Sequence, residues 1–366
     1  MKIGVARETK PGERRIALVP GDVAALVRDG HDVCVAAGAG AGTGHADDDY
    51  RRAGARIVDA DRVFECGLVV KVKELQPAEI ARVAAGHAVF GFHHLAGHPQ
   101  RARSVVASGI TAIAWEAVRD AQGGFPLLAP MSVIAGRMAL DVAIDAQGRA
   151  PADVLVLGAG HAGNAAADAA RAAGARVTQL RRATAIPAAI ERAALTADLV
   201  VGAAFTAGER APKLLPRALV ARMKRGAMIV DIAIEEGGVA ETSRATSHDV
   251  PTYVEEGVLH YAVPNMPSAM PREATAAISA AVTPFVRAIA AKGLARALAE
   301  DAGLRAGVLA FAGRCLHEAI AAEAGLAFES EGERLLAGSW PMGELEWDES
   351  FDYKAERTRS EARRRQ

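Results

Sequence analysis

The sequence predicts an α/β protein of two Rossmann-like domains, each with a parallel sheet, and a ligand cleft between them. Three observations carry that expectation. Short apolar runs alternate with helical stretches over the first ~125 residues, and a second alternation starts near residue 152. At 366 residues the chain also exceeds the length at which one core usually keeps growing, so two domains are the default.

Taken in order, residues 2–6 read as a buried strand, 20–29 as a helix stopped by Gly30, 31–36 as a strand, 47–54 as a helix and 55–58 as a strand. Strands at 67–72, 88–92 and 111–114 continue the series, and 131–146 is a long helical pattern that bridges to the next domain. There, Asp153-Val-Leu-Val-Leu-Gly-Ala-Gly-His-Ala-Gly163 is an apolar run entering Gly158-x-Gly160-x-x-Gly163, followed by an alanine-rich helix. Strand, tight turn and helix in that order suit a dinucleotide. Gly158 turns the chain, Gly160 lets backbone N–H groups meet a pyrophosphate, His161 and Ala162 open the helix whose positive end faces it, and Gly163 packs helix on strand. A plain glycine turn is the alternative for this motif.

Residues 175–180 supply the next parallel strand, and its end should meet the adenosine ribose with an acid for NAD or a cation for NADP. It carries Arg181-Arg182. A solvated arginine pair fits them as well as a 2′-phosphate does. Only 181–197 then separates this strand from the strand at 198–203, room for one short helix, so one β-α step of the nucleotide-binding half is missing. Strands at 227–232 and 259–263 complete the second sheet. Helical patterns at 273–291 and 304–326 return to the first domain, giving residues 1–128 plus 272–328 as one domain and 129–271 as the other. Residues 329–366 form an extension with aromatics among acids and a basic tip, expected to be partly disordered or to contact another subunit.

The composition is 51% hydrophobic and 24% charged with a formal charge of −1, which offers nothing to nucleic acid or a membrane surface. Aromatics are 4%, too few for base-stacking platforms. Cys34, Cys66 and Cys315 are few and scattered, as in reduced cytoplasmic proteins without disulfides. No apolar stretch approaches the ~20 uncharged residues of a membrane span, no export signal is visible, and no metal site is expected.

Three polar clusters fall where first-domain strands end, the place where open α/β sheets hold ligands. They are Glu13-Arg14-Arg15-Ile-Ala-Leu-Val-Pro20, the run Val69-Val-Lys71-Val-Lys73-Glu74 read as a buried strand with two lysines on one face, and Phe92-His93-His94-Leu95-Ala96. With Pro126-Leu-Leu-Ala-Pro-Met-Ser132, Gly208-Glu-Arg-Ala-Pro-Lys213, Asp231-Ile-Ala-Ile-Glu235 and Val263-Pro-Asn265-Met266, they follow an order that resembles the alanine dehydrogenase family, related to the N-terminal part of the nicotinamide nucleotide transhydrogenase alpha subunit.

The resemblance implies an oxidoreductase that reversibly deaminates a small 2-amino acid to a 2-oxo acid and ammonia with NAD or NADP, working as a homo-oligomer. It implies Arg15 and Lys73 on the substrate carboxylate, His94 as acid/base, Glu235 where the family has a second catalytic aspartate, and Asn265 beside the substrate. Ser132 and Met266 would touch the cofactor with Gly158, Gly160, His161, Ala162, Gly163, Arg181 and Arg182. His93, on the opposite side of its strand, is read as structural. Because the changes fall on the cofactor side, an alternative is a family member that has lost redox turnover and uses the same cleft as a lyase, a hydrolase-like enzyme or a ligand-binding protein.

Overall fold

A computed structural model describes residues 1–204 and 210–329 of the chain. They fall into two compact units, one formed by Met1–Leu128 with a return segment from Pro271, the other by Ala129–Met270. The expectations for residues 330–366, and for Gly208 and Glu209, lie outside the described residues.

The first unit holds an eight-stranded sheet. Its strands are β1 (Lys2–Val5), β2 (Asp32–Ala36), β3 (Arg56–Val58), β4 (Leu68–Val70), β5 (Ala88–Gly91), β6 (Thr111–Ala114), β13 (Val308–Phe311) and β14 (Arg314–Cys315). The order is β14-β13-β6-β5-β4-β1-β2-β3, parallel from β6 to β3. Central strands are apolar throughout because helices cover both faces: Ile3, Val5, Val69, Val70, Val89 and Phe90 are at most 1% exposed. From β1 the chain first builds outward through β2 to β3, then returns to β1's other side at β4. Between β1 and β4 the winding reverses, and the C-terminal ends of the two strands diverge there into a crevice.

In the second unit β7 (Asp153–Leu157), β8 (Arg176–Leu180), β9 (Leu199–Gly202), β10 (Met228–Asp231), β11 (Thr252–Glu255) and β12 (Val258–Tyr261) form a sheet in the order β11-β12-β10-β9-β7-β8. The reversal lies between β7 and β9. A full nucleotide-binding half would place a third strand outside β8. Here β8 is the border, as the short spacing after Leu180 implies. Leu155, Leu157, Val200, Leu215, Val220, Ile229 and Val258 form the core beneath.

The structure corrects four expectations. Residues 304–326 are not a helix but a short helix Ala302–Ala306, the β13–β14 hairpin and a helix Glu318–Ala324. Ala312 and Gly313, at φ 48° and 80°, make the tight primed turn that joins the hairpin, and β13 pairs antiparallel with β6. A second unanticipated hairpin, β11–β12, turns at Glu256-Gly257 in the same way. The strand expected over 67–72 stops at Val70, so Lys71 and Lys73 stand beyond its end and not on one strand face. Lastly, by length and composition alone the helix Pro271–Lys292 could cross a membrane. In this protein it is a core helix: Ile278, Val282, Val286 and Ile289 are buried, while Thr275 and Ser279 accept the Ile16 and Val19 backbone N–H groups.

Candidate active site

The crevice of the first unit is lined by charge that its sequence runs concentrate in three loops. After β1, Glu8 accepts the Lys71 ammonium at 2.8 Å and the Val72 N–H at 2.7 Å. Burial works against the charge of Lys71, but the Glu8 and Glu79 carboxylates outweigh it and hold the amine above the ordinary lysine range. Lys71 is thereby consumed in structure. Arg15, 2% exposed, donates from Nε to Glu13 Oε1 at 2.7 Å and from its backbone N–H to the same oxygen at 3.0 Å. A second guanidinium contact reaches Glu13 Oε2, so the fork is clamped in one plane.

His94 follows β5 and sits on the opposing loop. Lys73 Nζ lies 3.3 Å from its Nε2, and the Phe92 ring stacks nearly parallel on the imidazole at 5.6 Å. Burial first, and the Lys73 charge second, hold the imidazole pKa well below its ordinary value. The ring is therefore neutral at neutral pH. An ammonium can only donate, so Nε2 is the unprotonated acceptor and Nδ1 carries the hydrogen. His94 also adopts φ 45°, a left-handed conformation that costs roughly 1–2 kcal/mol for a residue with a Cβ. Three contacts hold it there. Glu116 accepts the His94 N–H at 2.7 Å and the His93 N–H at 3.1 Å, and Arg101 donates to the His94 carbonyl at 2.8 Å.

His93 packs into the core, 1% exposed, with Nε2 at 3.1 Å from the Val89 carbonyl and its pKa pushed down by burial to about 4. Glu74 sits behind the histidine loop. Burial would raise its carboxyl, but Lys10 at 2.8 Å overrides that and holds it at about 2.

In the second unit the loop after β7 bends at Gly158, φ 126°, where any side chain would run into the Ala203 carbonyl after β9. The Gly158 N–H donates to the Leu180 carbonyl at 2.9 Å, and Gln179 Nε2 donates to the Gly158 carbonyl at 3.0 Å. The turn is thus stitched to the end of β8. At Gly163 a Cβ would collide with the Gly158 carbonyl, so the bare Cα sets how closely the helix His161–Ala172 lies on β7. Gly160 caps that helix without a side chain, and the space beside its Cα is open for 4 Å. The first-turn N–H groups have no intrahelical partner by construction. An uncapped helix start facing open space, rimmed by glycines, fits a pyrophosphate.

Of the remaining residues singled out from the sequence, Ser132 lies in the helix Ala129–Gln147, one turn before Gly136, which abuts the Ala162 carbonyl. Asn265 takes a left-handed φ of 57° ahead of the buried Met266. Glu235 is exposed on a short 3-10 turn after β10, and Arg181 and Arg182 are exposed after β8. Arg15, Lys73 and His94 therefore belong to the first unit, and Ser132, the glycine turn, Arg181, Arg182, Glu235, Asn265 and Met266 to the second. Sequence reading missed Glu8, Glu13, Glu74 and Glu116 as the groups that orient the cations and the histidine. Glu13 and Glu74 border residues it did name, but Glu116 is 22 residues from His94 and carries no local signal.

Known proteins supply a comparison. The family model described as the N-terminal domain of alanine dehydrogenase/PNT matches residues 4–135, and its C-terminal counterpart matches residues 179–318. An alanine dehydrogenase of Halomonas elongata is 40% identical over 365 residues, covering 90% of this chain and 98% of its own. That of Bacillus subtilis is 38% identical, covering 89% and 95%. Among solved structures, an L-alanine dehydrogenase superposes with a TM-score of 0.82 at 38% identity over 88% of this chain and 98% of its own. A transhydrogenase from Sinorhizobium meliloti gives 0.77 at 25% identity over 87% and 100%.

Proposed function

The chain belongs to the alanine dehydrogenase/PNT family, and on that premise we propose that it catalyses the reversible oxidative deamination of alanine to the 2-oxo acid and ammonia with a nicotinamide dinucleotide. The dinucleotide, when bound, supplies the two-electron acceptor for the substrate Cα–H. Gly158, Gly160 and Gly163 with the N–H groups of His161 and Ala162 hold its pyrophosphate; Ser132 and Met266 flank it.

The chain's own residues do the rest. Arg15 and Lys73 grip the substrate carboxylate. Arg15 offers a fork already oriented by Glu13, and Lys73 adds a point charge, so a group of about the size of alanine is anchored at one end. His94 is the acid/base. Its neutral Nε2 takes a proton from water as that water adds to the imine carbon, and from the carbinolamine hydroxyl as the carbonyl forms; in reverse it returns the proton. Lys73 keeps the imidazole from charging too early, and Glu116 fixes the loop that aims it. Glu235 contributes a second carboxylate and Asn265 a polar contact to the substrate.

The observation that carries the reading is the Lys73–His94 pair, a neutral imidazole beside an ammonium, at the end of β4 and β5 in the crevice where the sheet reverses. The shortened second sheet leaves the glycine turn and its helix whole, so the reading without redox turnover gains nothing from the cofactor unit. The test is alanine-dependent reduction of the dinucleotide, with His94→Ala alongside. The variant should lose turnover by several orders of magnitude while still binding nucleotide. Turnover equal to the parent's would remove His94 from the chemistry.

A further inference from the structure

We propose that this chain selects the 2′-phosphorylated nucleotide, NADP(H), over NAD(H), with Arg181 and Arg182 as the residues that decide. The inference rests on the dinucleotide site described above and adds to it which of two closely similar cofactors that site takes.

Placement comes first. The second strand of a nucleotide-binding half ends beside the adenosine ribose, where an acid binds the free 2′-hydroxyl and a cation binds a 2′-phosphate. Here that strand is β8, which ends at Leu180. The Leu180 carbonyl accepts the Gly158 N–H at 2.9 Å, so Arg181, the next residue, starts within one peptide unit of the glycine turn. The backbone holds it there. The Arg181 N–H donates to Thr184 Oγ1 at 3.1 Å, and the Thr184 and Ala185 N–H groups return to the Arg181 carbonyl at 2.8 and 2.9 Å. No acid stands at 181 or 182, or at the following residues through Ile190.

Charge comes second. Other exposed arginines on the flanking elements are neutralised by carboxylates: Arg171 by Asp168 at 2.9 Å, and Arg176, at the other end of β8, by Asp153 at 2.7 Å. Among the described residues no carboxylate pairs with the Arg181 guanidinium. An exposed arginine kept without a counter-ion beside an anion-binding turn, where its neighbours all have one, is what a phosphate ligand requires. Two guanidiniums can engage a phosphate with parallel N–H···O bonds, a geometry lysine cannot reproduce.

The missing step comes third. With β8 at the border of the sheet, no further strand or helix walls in the far side of the adenosine. Contact area lost there must be replaced, and a dianion between two guanidiniums replaces it with charge. Binding of the phosphorylated cofactor is then strongly salt-dependent.

The experiment is direct titration of the purified full chain with NADPH and with NADH, read by nicotinamide fluorescence or calorimetry without substrate. NADPH should bind about tenfold or more tightly at low salt, the advantage shrinking as ionic strength rises. In the double variant Arg181→Ser with Arg182→Ser, NADPH should lose about tenfold or more while NADH changes by less than about threefold. NADH binding as tightly as NADPH to the parent, or equal losses of both in the variant, would overturn the selection while leaving the dinucleotide site standing. Binding of neither would overturn both. Should the double variant fail to fold, competition on the parent chain decides: adenosine 2′,5′-bisphosphate must displace the bound nucleotide better than adenosine 5′-monophosphate, and equal displacement refutes the assignment.

Discussion

Replacing Lys73 by methionine keeps the aliphatic stem and deletes the charge 3.3 Å from His94 Nε2. Two unit charges at that distance interact by about 1.3 kcal/mol even with the full screening of water, and by about 5 kcal/mol at the effective dielectric of ~20 that suits protein sites. The smaller figure alone corresponds to about one pH unit in the imidazole. The sign follows from the charge: Lys73 opposes protonation, so its removal raises the His94 pKa. Because burial is the larger cause of the depression, the raised value still falls short of an ordinary histidine. The reaction needs the neutral base, so the acidic limb of kcat/KM moves to higher pH by about one unit or more. Its amplitude also falls, at every pH alike, through the lost carboxylate contact. The assay is the pH profile of kcat/KM for parent and variant, with the His94 ring titrated in parallel by NMR. An acidic limb that stays in place while the amplitude drops would refute the coupling and reduce Lys73 to a carboxylate anchor.

Three further outcomes are expected. Gly163→Ala puts a methyl into the Gly158 carbonyl, and relieving that overlap means lifting the helix from β7 at a cost of roughly 1–3 kcal/mol; a matching loss of dinucleotide affinity should appear in the fluorescence titration, and unchanged binding would reject the role given to the turn. His93 is buried with a pKa of about 4, so the unfolded chain takes its proton first as pH falls from about 6.5; this one residue withdraws about 3 kcal/mol of stability by pH 4. In His93→Gln the decline of denaturation midpoint over that window should flatten, and an identical slope would contradict the buried neutral ring. Ala312→Asn, at φ 48° in the β13–β14 turn, should stabilise the first unit by about 0.5–1 kcal/mol in denaturant unfolding; a destabilisation would mean that the turn is not of the primed type.

Much of this was legible in the chain because it is local. The apolar runs of β1, β4, β5 and β7 and the Gly158-to-Gly163 spacing each report their environment within a dozen residues, and the short gap after Leu180 correctly foretold a sheet that ends at β8. The hairpins escaped notice because Ala312-Gly313 and Glu256-Gly257 lack the asparagine or aspartate that usually marks such turns, and the alanine-rich surroundings of β13 read as helix. The site was legible only in part. Lys73 and His94 lie in neighbouring strand-end loops, which the alternation predicts, but Glu116 beneath His94 and Glu8 beneath Lys71 are brought in by pairing across the sheet, over 22 and 63 residues. Lys71 and Lys73, two residues apart, looked equivalent. Only their partners tell the structural amine from the one beside the imidazole.

The position of β8 has a last consequence. A border strand carries a row of backbone donors and acceptors that no neighbour satisfies, an invitation to stick to any extended peptide, including a second molecule of the same kind. Arg176 at one end of the strand and Arg181 with Arg182 past the other bracket that row with bulky cations, which resist the approach of a like-charged twin. Neutralising the pair that reads the nucleotide would therefore also strip half the guard from the rim, and loss of colloidal stability should accompany loss of cofactor discrimination.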